Sequence, residues 1–151
     1  VKLVRGAYME KERERAYHLG YESPIQPDKE ATDRDYDAAV QYCVENAEHI
    51  SVIAGSHNEE SARKLTDLMS RHGLDKGDKR VWFSQLYGMS DNLSFNLAKE
   101  GYNTVKYLPF GPVEETLPYL IRRAEENTSA AGQTSRELKL IKKELERRGL
   151  E

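Results

Sequence analysis

The segment YLPFGPVEETLPYLIRRAEEN, residues 107–127, combines a strand end, a tight turn and an amphipathic helix. Pro112 marks the start of the helix, because the missing N–H of proline would have no partner in a first helical turn. Apolar residues then recur at helical spacing and predict one buried stripe. These residues are Leu117, Leu120, Ile121 and Ala124.

The opposite face of this predicted helix carries side chains three and four residues apart. They are Tyr119, Arg122, Arg123 and Glu126. Two adjacent arginines one turn from a tyrosine can bind a carboxylate through forked, charge-assisted hydrogen bonds. The alternative is a solvent-facing stripe with an Arg–Glu pair, and spacing alone favours that alternative.

The rest of the chain alternates strand and helix patterns. Strands are predicted at residues 1–8, 50–55, 81–86 and 104–108. Helices are predicted at residues 9–19, 33–48, 58–71, 91–100, 112–127 and 135–148. Thr32 is the predicted cap of the second helix, whose apolar side comprises Ala38, Ala39, Tyr42, Cys43 and Ala47.

Strand followed by helix, repeated in this way, predicts an α/β fold with a parallel sheet and right-handed crossovers. A parallel sheet needs helices on both faces or closure into a barrel. Each strand also ends in a short polar segment, which is where a (β/α)8 TIM-like barrel has its active site. We therefore predict about half of such a barrel, with a doubly wound flavodoxin-like sheet as the structural alternative.

The domain prediction assigns residues 1–127 to the half-barrel, 128–134 to a small-residue linker and 135–151 to an amphipathic C-terminal helix. The chain begins without methionine, directly in strand-like sequence, so we expect a fragment of a longer protein.

Composition excludes several classes of function. The net charge of -3 gives no electrostatic footprint for nucleic acid. The spacing of Cys, His and acidic residues predicts no metal site, and no strand leads into a Gly-rich dinucleotide fingerprint. The lone Cys43 suits a core position in a reducing compartment.

Three strand-end residues remain ambiguous from the pattern alone. His57 follows an apolar strand and either donates to a ligand or caps the next helix alongside Asn58. Tyr8 and Tyr107 are either ligand walls or packing residues at a barrel rim.

Five segments, taken in order, resemble the proline dehydrogenase family. They are KLVRGAY at 2–8, SHN at 56–58, QLYGM at 85–89, KYLPFGPV at 106–113 and YLIRRAEEN at 119–127. The resemblance runs from residue 1 to about residue 148 and is strongest to the monofunctional enzymes. It implies a distorted (β/α)8 barrel that holds FAD, of which this chain would supply strands five to eight and the last helices.

The resemblance also implies roles for particular residues. The residues expected to bind proline are Tyr8, Leu86, Tyr107, Tyr119, Arg122 and Arg123. The residues expected to bind the cofactor are Lys2, Val4, Arg5, Ala7, Ser56, His57, Asn58, Arg123 and Glu126. Lys2 stands where bacterial relatives often have arginine, so it keeps the charge but loses the planar fork.

The implied reaction is FAD-dependent oxidation of L-proline to 1-pyrroline-5-carboxylate in proline catabolism, with a quinone as electron acceptor. The implied partners are the missing N-terminal half of the barrel and a membrane contacted at its periphery. The expected location is cytoplasmic and at the inner membrane, on the matrix side in a eukaryote. The alternatives are a non-catalytic half-barrel that dimerises without flavin, and a barrel lyase that binds carboxylate or phosphate.

Overall fold

The computed structural model describes residues 1–6, 8–129 and 131–149, with side chains at 1–6, 8–121 and 138–149. The chain forms two compact units, Val1–Tyr107 and Leu108–Glu151. Ala7, which we expected near the cofactor, lies outside the described residues. The side chains of Arg122, Arg123 and Glu126 also lie outside the described set.

The first unit contains four strands and four helices among its described residues. In chain order they are β1 (Lys2–Val4), α1 (Met9–Leu19), α2 (Lys29–Glu45), β2 (Val52–Gly55), α3 (Glu59–Arg71), β3 (Val81–Leu86), α4 (Asp91–Lys99) and β4 (Thr104–Tyr107). The second unit contains α5 (Val113–Ser129) and α6 (Ala131–Arg148).

The strands form one parallel sheet in the order β1-β2-β3-β4. Each strand lies beside its predecessor in the chain, as in a barrel, and not in the rearranged order of a doubly wound sheet. The carboxyl ends of all four strands therefore meet at one edge. The predicted α/β fold is confirmed, and the sheet forms part of a barrel.

One face of the sheet packs against α2, α3 and α4. Val52, Ala54, Val81 and Phe83 point to this face and are buried together with apolar residues of the helices. Leu65 and Met69 of α3 are fully buried there, as predicted. Burial of these side chains is the main apolar stabilisation of the first unit.

The other face of the sheet, called here the inner face, carries the alternate residues of each strand. Val4, Gly55, Ser84 and Val105 are in register across it. A Cβ on Gly55 would lie 2.9 Å from the carbonyl oxygen of Leu3, so only glycine allows β1 and β2 this close. Val4 is 52% exposed, which shows how open this face is within the chain.

A contact between the two outer strands shows that the sheet curves toward its inner face. The ammonium group of Lys2 on β1 lies 5.1 Å from the ring centroid of Tyr107 on β4. On a flat sheet the two Cα atoms would be separated by roughly 14 Å across the strands and roughly 13 Å along them. Twist and curvature of the kind found in barrels are needed to bring these side chains together.

The predicted start of α2 is wrong. The helix begins at Lys29 and not at Asp33, because the carboxylate of Asp28 accepts a hydrogen bond from the Ala31 amide at 2.7 Å. The hydroxyl of Thr32 donates to the Asp28 carbonyl within the first turn and does not cap. Asp28 is the stronger signal, since its extended backbone is that of an N-cap residue.

The predicted apolar side of α2 is also partly wrong. Tyr42 and Ala38 are exposed, whereas Tyr36, Val40 and Val44 are buried with Cys43. The buried stripe is therefore rotated relative to the predicted one. Burial in the core raises the pKa of the Cys43 thiol, in keeping with the predicted core role.

The second unit differs from prediction at the linker. Residues 128–129 belong to α5 and residues 131–134 belong to α6, so helix lies on both sides of Ala130, which is outside the described residues. Ser135, the predicted cap, lies inside α6. Leu117, Leu120 and Ile121 of the predicted stripe are about half exposed. No helix in the described parts of the chain is long and apolar enough to cross a membrane.

We expect the isolated 151-residue chain to self-associate, because β1 and β4 are open edges of a parallel sheet and expose backbone groups beside apolar side chains. Size-exclusion chromatography with light scattering should show dimers or larger species and no stoichiometric flavin absorbance. Val105→Lys adds a charge on the edge strand β4 and should reduce the association. A monomer that carries one FAD per chain would contradict the partial-barrel interpretation.

Candidate active site at the carboxyl ends of the strands

The end of β1 leads into a turn with unusual backbone angles. Gly6 has φ 74°, and Tyr8 has φ 59°, in the left-handed region that side-chain-bearing residues rarely adopt. Tyr8 precedes α1 and is 74% exposed. The Tyr8 side chain is open to solvent in this chain, and its assignment as a ligand wall stays a prediction.

Arg5 points away from the inner face, because side chains alternate along β1 and Lys2 and Val4 occupy that face. Its guanidinium pairs with Asp33 of α2 at 2.9 Å and donates to the Ser61 hydroxyl of α3 at 3.0 Å. It also lies 5.9 Å from the centroid of the Tyr36 ring. Any cofactor contact of Arg5 would therefore come from its backbone, and its assignment stays a prediction.

The surroundings of Arg5 form a polar network within the helix-covered side. The Ser61 hydroxyl donates to Asp37 at 2.7 Å, and Lys64 lies 3.7 Å from the same carboxylate. Burial raises the pKa of the Tyr36 phenol well above its usual range, while the positive charge of Arg5 partly opposes this shift. The network joins the end of β1 to α2 and α3, and so fixes where the following turn starts.

The end of β2 combines a helix cap with a histidine. The Asn58 carboxamide oxygen accepts hydrogen bonds from the amides of Glu60 and Ser61 at 2.8 and 3.0 Å, so Asn58 caps α3. The Ser56 hydroxyl accepts a bond from the Asn58 amide at 3.1 Å. Helix capping, one of the two roles considered for His57 alongside Asn58, is therefore carried out by Asn58. The imidazole of His57 instead reaches α4, where Nδ1 lies 3.0 Å from the Ser90 hydroxyl.

The end of β3 contains a buried hydrogen-bond network that the sequence analysis missed. Gln85 is almost fully buried; its amide donates to the Ser56 carbonyl at 3.2 Å, and its oxygen accepts from the Ser94 hydroxyl at 2.9 Å. A glutamine inside the otherwise buried strand VWFSQL is the signal that could have indicated this network, since buried polar groups need partners.

Leu86, Tyr107 and Lys2 come together at the inner face. Leu86 of β3 and Tyr107 of β4 are register partners, so their side chains are neighbours. Lys2 approaches the Tyr107 ring as a cation over an aromatic face. Tyr107 is 44% exposed. The structure thus brings together three of the predicted site residues and offers an apolar and aromatic wall beside a positive charge.

The remaining predicted site residues lie on α5 in the second unit. The backbone of α5 places Tyr119, Arg122, Arg123 and Glu126 at helical spacings of three and four. Tyr119 is partly buried. The carboxylate clamp of the two arginines stays a prediction. Among the described residues, no cluster of His, Cys, Asp and Glu could hold a metal ion.

Comparison with known proteins agrees with this arrangement. The sequence model of a family described as proline dehydrogenase matches residues 1–136. The chain belongs to the proline dehydrogenase family. It is 48% identical over 150 residues to mitochondrial proline dehydrogenase 1 of Homo sapiens, covering 97% of this chain and 25% of that protein. It is 46% identical over 152 residues to hydroxyproline dehydrogenase of Xenopus laevis, covering 98% of this chain and 33% of that protein.

Solved structures of related proteins have the same fold as this chain. The crystal structure of proline utilization A (PutA) from Bdellovibrio bacteriovorus, inactivated by N-propargylglycine, matches with a TM-score of 0.78 at 30% identity. The match covers 86% of this chain and 13% of that one. A structure of PutA with proline bound in remote sites matches with a TM-score of 0.74 at 28% identity, covering 88% and 13%. The chain spans 25% of the length of the Homo sapiens relative and 33% of the length of the Xenopus laevis relative.

We expect Arg5→Met to destabilise the chain by about 1–3 kcal/mol, because it leaves the Asp33 and Ser61 groups without their buried partner. Lys29→Met is a matched control: Lys29 pairs with the same Asp33 carboxylate, but its side chain is 71% exposed, against 13% for Arg5. The control should cost less than about 1 kcal/mol. Urea unfolding measures both, and equal effects would show that the Arg5 network contributes no more than a surface pair.

Proposed function

We propose that this chain forms part of an FAD-dependent proline dehydrogenase that oxidises L-proline to 1-pyrroline-5-carboxylate and passes the electrons to a quinone. The observation that supports this most directly is the group of Lys2, Leu86 and Tyr107 at the inner face, in a chain of this family. The group offers a positive charge and an apolar, aromatic wall at the sheet edge where barrel enzymes bind their ligands.

The residues present fit a flavin, which has a planar aromatic ring system with polar edges and a charged diphosphate tail. Val4 offers an exposed apolar side chain on the inner face, and Lys2 offers a cation two residues away on the same face. Ser56 and His57 supply hydrogen-bonding groups at the neighbouring strand end. A bound flavin would accept the electrons that proline loses.

The chain's own residues would bind and orient the substrate. Tyr107 and Leu86 would contact the apolar ring of proline and exclude water from one side of it. Arg122 and Arg123 would bind the carboxylate through forked hydrogen bonds, so that the ring is held in one orientation. Lys2 would supply positive charge as a compact ammonium, without the bidentate geometry of arginine.

A mitochondrial location is proposed for the complete protein, because several curated relatives are named as mitochondrial proline dehydrogenases. A quinone acceptor implies peripheral contact with the inner membrane, where quinones dissolve.

A second candidate substrate is hydroxyproline, because relatives from Xenopus laevis and Bos taurus that are 46% and 44% identical are named hydroxyproline dehydrogenase. The two substrates share the carboxylate and the ring nitrogen and differ by one hydroxyl. A ring pocket with a hydrogen-bond partner for that hydroxyl would favour hydroxyproline, and a purely apolar pocket would favour proline.

The test is to purify the complete protein that contains this chain and to measure its flavin absorbance and its reduction of a quinone with L-proline or hydroxyproline. Bound FAD with turnover on either amino acid supports the proposal, and the ratio of kcat/KM values identifies the substrate. Absence of flavin would favour the non-catalytic half-barrel. Cleavage of a carboxylate or phosphate substrate without flavin would favour the lyase alternative.

Arg122→Ala and Arg123→Ala should each lower kcat/KM for proline in the complete protein. Losing a charge-assisted hydrogen bond to the carboxylate should cost about 1.5–3 kcal/mol, or roughly 10- to 150-fold. The adjacent pair Arg147 and Arg148 on α6 provides the control, because both pair with Glu144 at the surface. Alanine there should leave proline kinetics unchanged. Losses below about threefold for both Arg122 and Arg123 would rule out the clamp.

Tyr107→Phe and Tyr8→Phe distinguish a ligand wall from packing. We expect kcat/KM for proline to fall by about three- to tenfold while Tm is unchanged, because each hydroxyl is expected to order the substrate or a neighbouring arginine. Tyr17→Phe on the exposed surface of α1 is the control and should change neither quantity. If both site variants keep wild-type kinetics, the two tyrosines are packing residues.

A further inference from the structure

Ser90 has a conformation that its position before a helix does not explain. It precedes α4 with φ 50° and ψ 44°, in the left-handed region. A serine before a helix ordinarily has extended backbone and accepts a hydrogen bond from an amide of the first turn. The Ser90 side chain makes no such capping bond. Its hydroxyl lies instead 3.0 Å from Nδ1 of His57, 33 residues earlier in the chain.

The groups around Ser90 hold it in this conformation. The ammonium group of Lys106 donates to the carbonyl of Met89 at 2.6 Å and pairs with Asp91 at 2.7 Å. Lys106 on β4 therefore binds the residue before Ser90 and the residue after it. The Ser90 carbonyl also accepts a bond from the amide of Ser94 at 3.1 Å. A strained backbone persists only when its surroundings fix it in this way.

The same helix also fixes the backbone beside His57. Ser94 of α4 donates to Gln85, and Gln85 donates to the carbonyl of Ser56, the residue before His57. His57 is thus linked to α4 twice, through its ring by Ser90 and through the preceding peptide by Gln85.

We propose that Ser90 is a positioning residue, which holds the imidazole of His57 in one orientation at the carboxyl edge of the sheet. A serine hydroxyl can donate to Nδ1 or accept from it, so the bond fixes the orientation of the ring in either tautomer. A side chain that is already ordered loses less entropy when it binds a ligand. Ser90 therefore increases the affinity for the flavin, and this last step rests on the proposed function.

The first experiment measures His57 directly in the complete protein that contains this chain. Nitrogen-15 NMR of histidine side chains reports the hydrogen bonding of each ring nitrogen, and His57→Gln assigns the His57 signal. Ser90→Gly removes the hydroxyl, and glycine accepts the left-handed backbone without strain. Ser90→Asn also tolerates that backbone and keeps a hydrogen-bonding group. Ser90→Ala is a second hydroxyl deletion for the case in which the glycine variant does not fold.

The expected result is a hydrogen-bonded Nδ1 signal of His57 in the wild type and loss of the hydrogen-bond shift in Ser90→Gly, with Tm not lowered. Ser90→Asn should restore the hydrogen-bonded signal. If Ser90→Gly, or Ser90→Ala where glycine does not fold, retains the wild-type histidine spectrum, Ser90 has only a backbone role and the proposal is wrong.

The second experiment is a double-mutant cycle on the FAD dissociation constant of the complete protein. Ser90→Gly alone should weaken FAD binding by about three- to tenfold. Combined with His57→Gln it should add nothing, because Ser90 acts through His57. Additive losses would overturn the proposal. A changed histidine spectrum in a protein that binds no flavin would uphold the positioning role and refute the proposed function instead, so the two failures are distinguishable.

Discussion

The parallel pairing of β1 to β4 in chain order is the constraint on which the rest of the structure depends. It brings the carboxyl ends of four separate segments to one edge, and the twist and curvature of the sheet make Lys2 and Tyr107 neighbours. The close approach of β1 and β2 needs the missing side chain of Gly55. The curvature of the sheet then turns this edge into a concave surface that can contact one ligand from several strands.

The alternation of side chains along each strand divides the polar residues into two sets. Lys2 points to the inner face, whereas Arg5, three residues later on the same segment, points to the helices and binds Asp33 and Ser61. One cation is thus available to a ligand, and the other fixes the turn that carries Tyr8. Two cations on one strand segment therefore have different partners, and the pleat of the strand decides which.

Arg5 fixes the turn that follows β1. Hydrogen bonds between neighbouring β/α units fix the turns after the other strands in the same way. Gln85 and Ser94 connect β2, β3 and α4, while Lys106 connects β4 to the start of α4. Gln85 and Ser94 are buried, so their bonds are costly to leave unsatisfied. They give the site-bearing turns a fixed geometry that short loops alone would not have.

The sequence alone determined the order of the strands and helices, the parallel sheet, and the exact bounds of α1 and β3. These features depend on local periodicity and on the positions of glycine and proline. It also singled out Lys2, Leu86 and Tyr107 through the family resemblance. The start of α2 is set locally by the Asp28 cap, which the prediction passed over in favour of Thr32. The buried stripe of α2 was decided by packing, since only the sheet selects Tyr36, Val40 and Val44 as the buried side. The contacts of Arg5 and the pairing of His57 with Ser90 were likewise decided by tertiary structure, because hydrogen bonds between residues 33 or 56 positions apart follow from the register and curvature of the sheet and not from any local pattern.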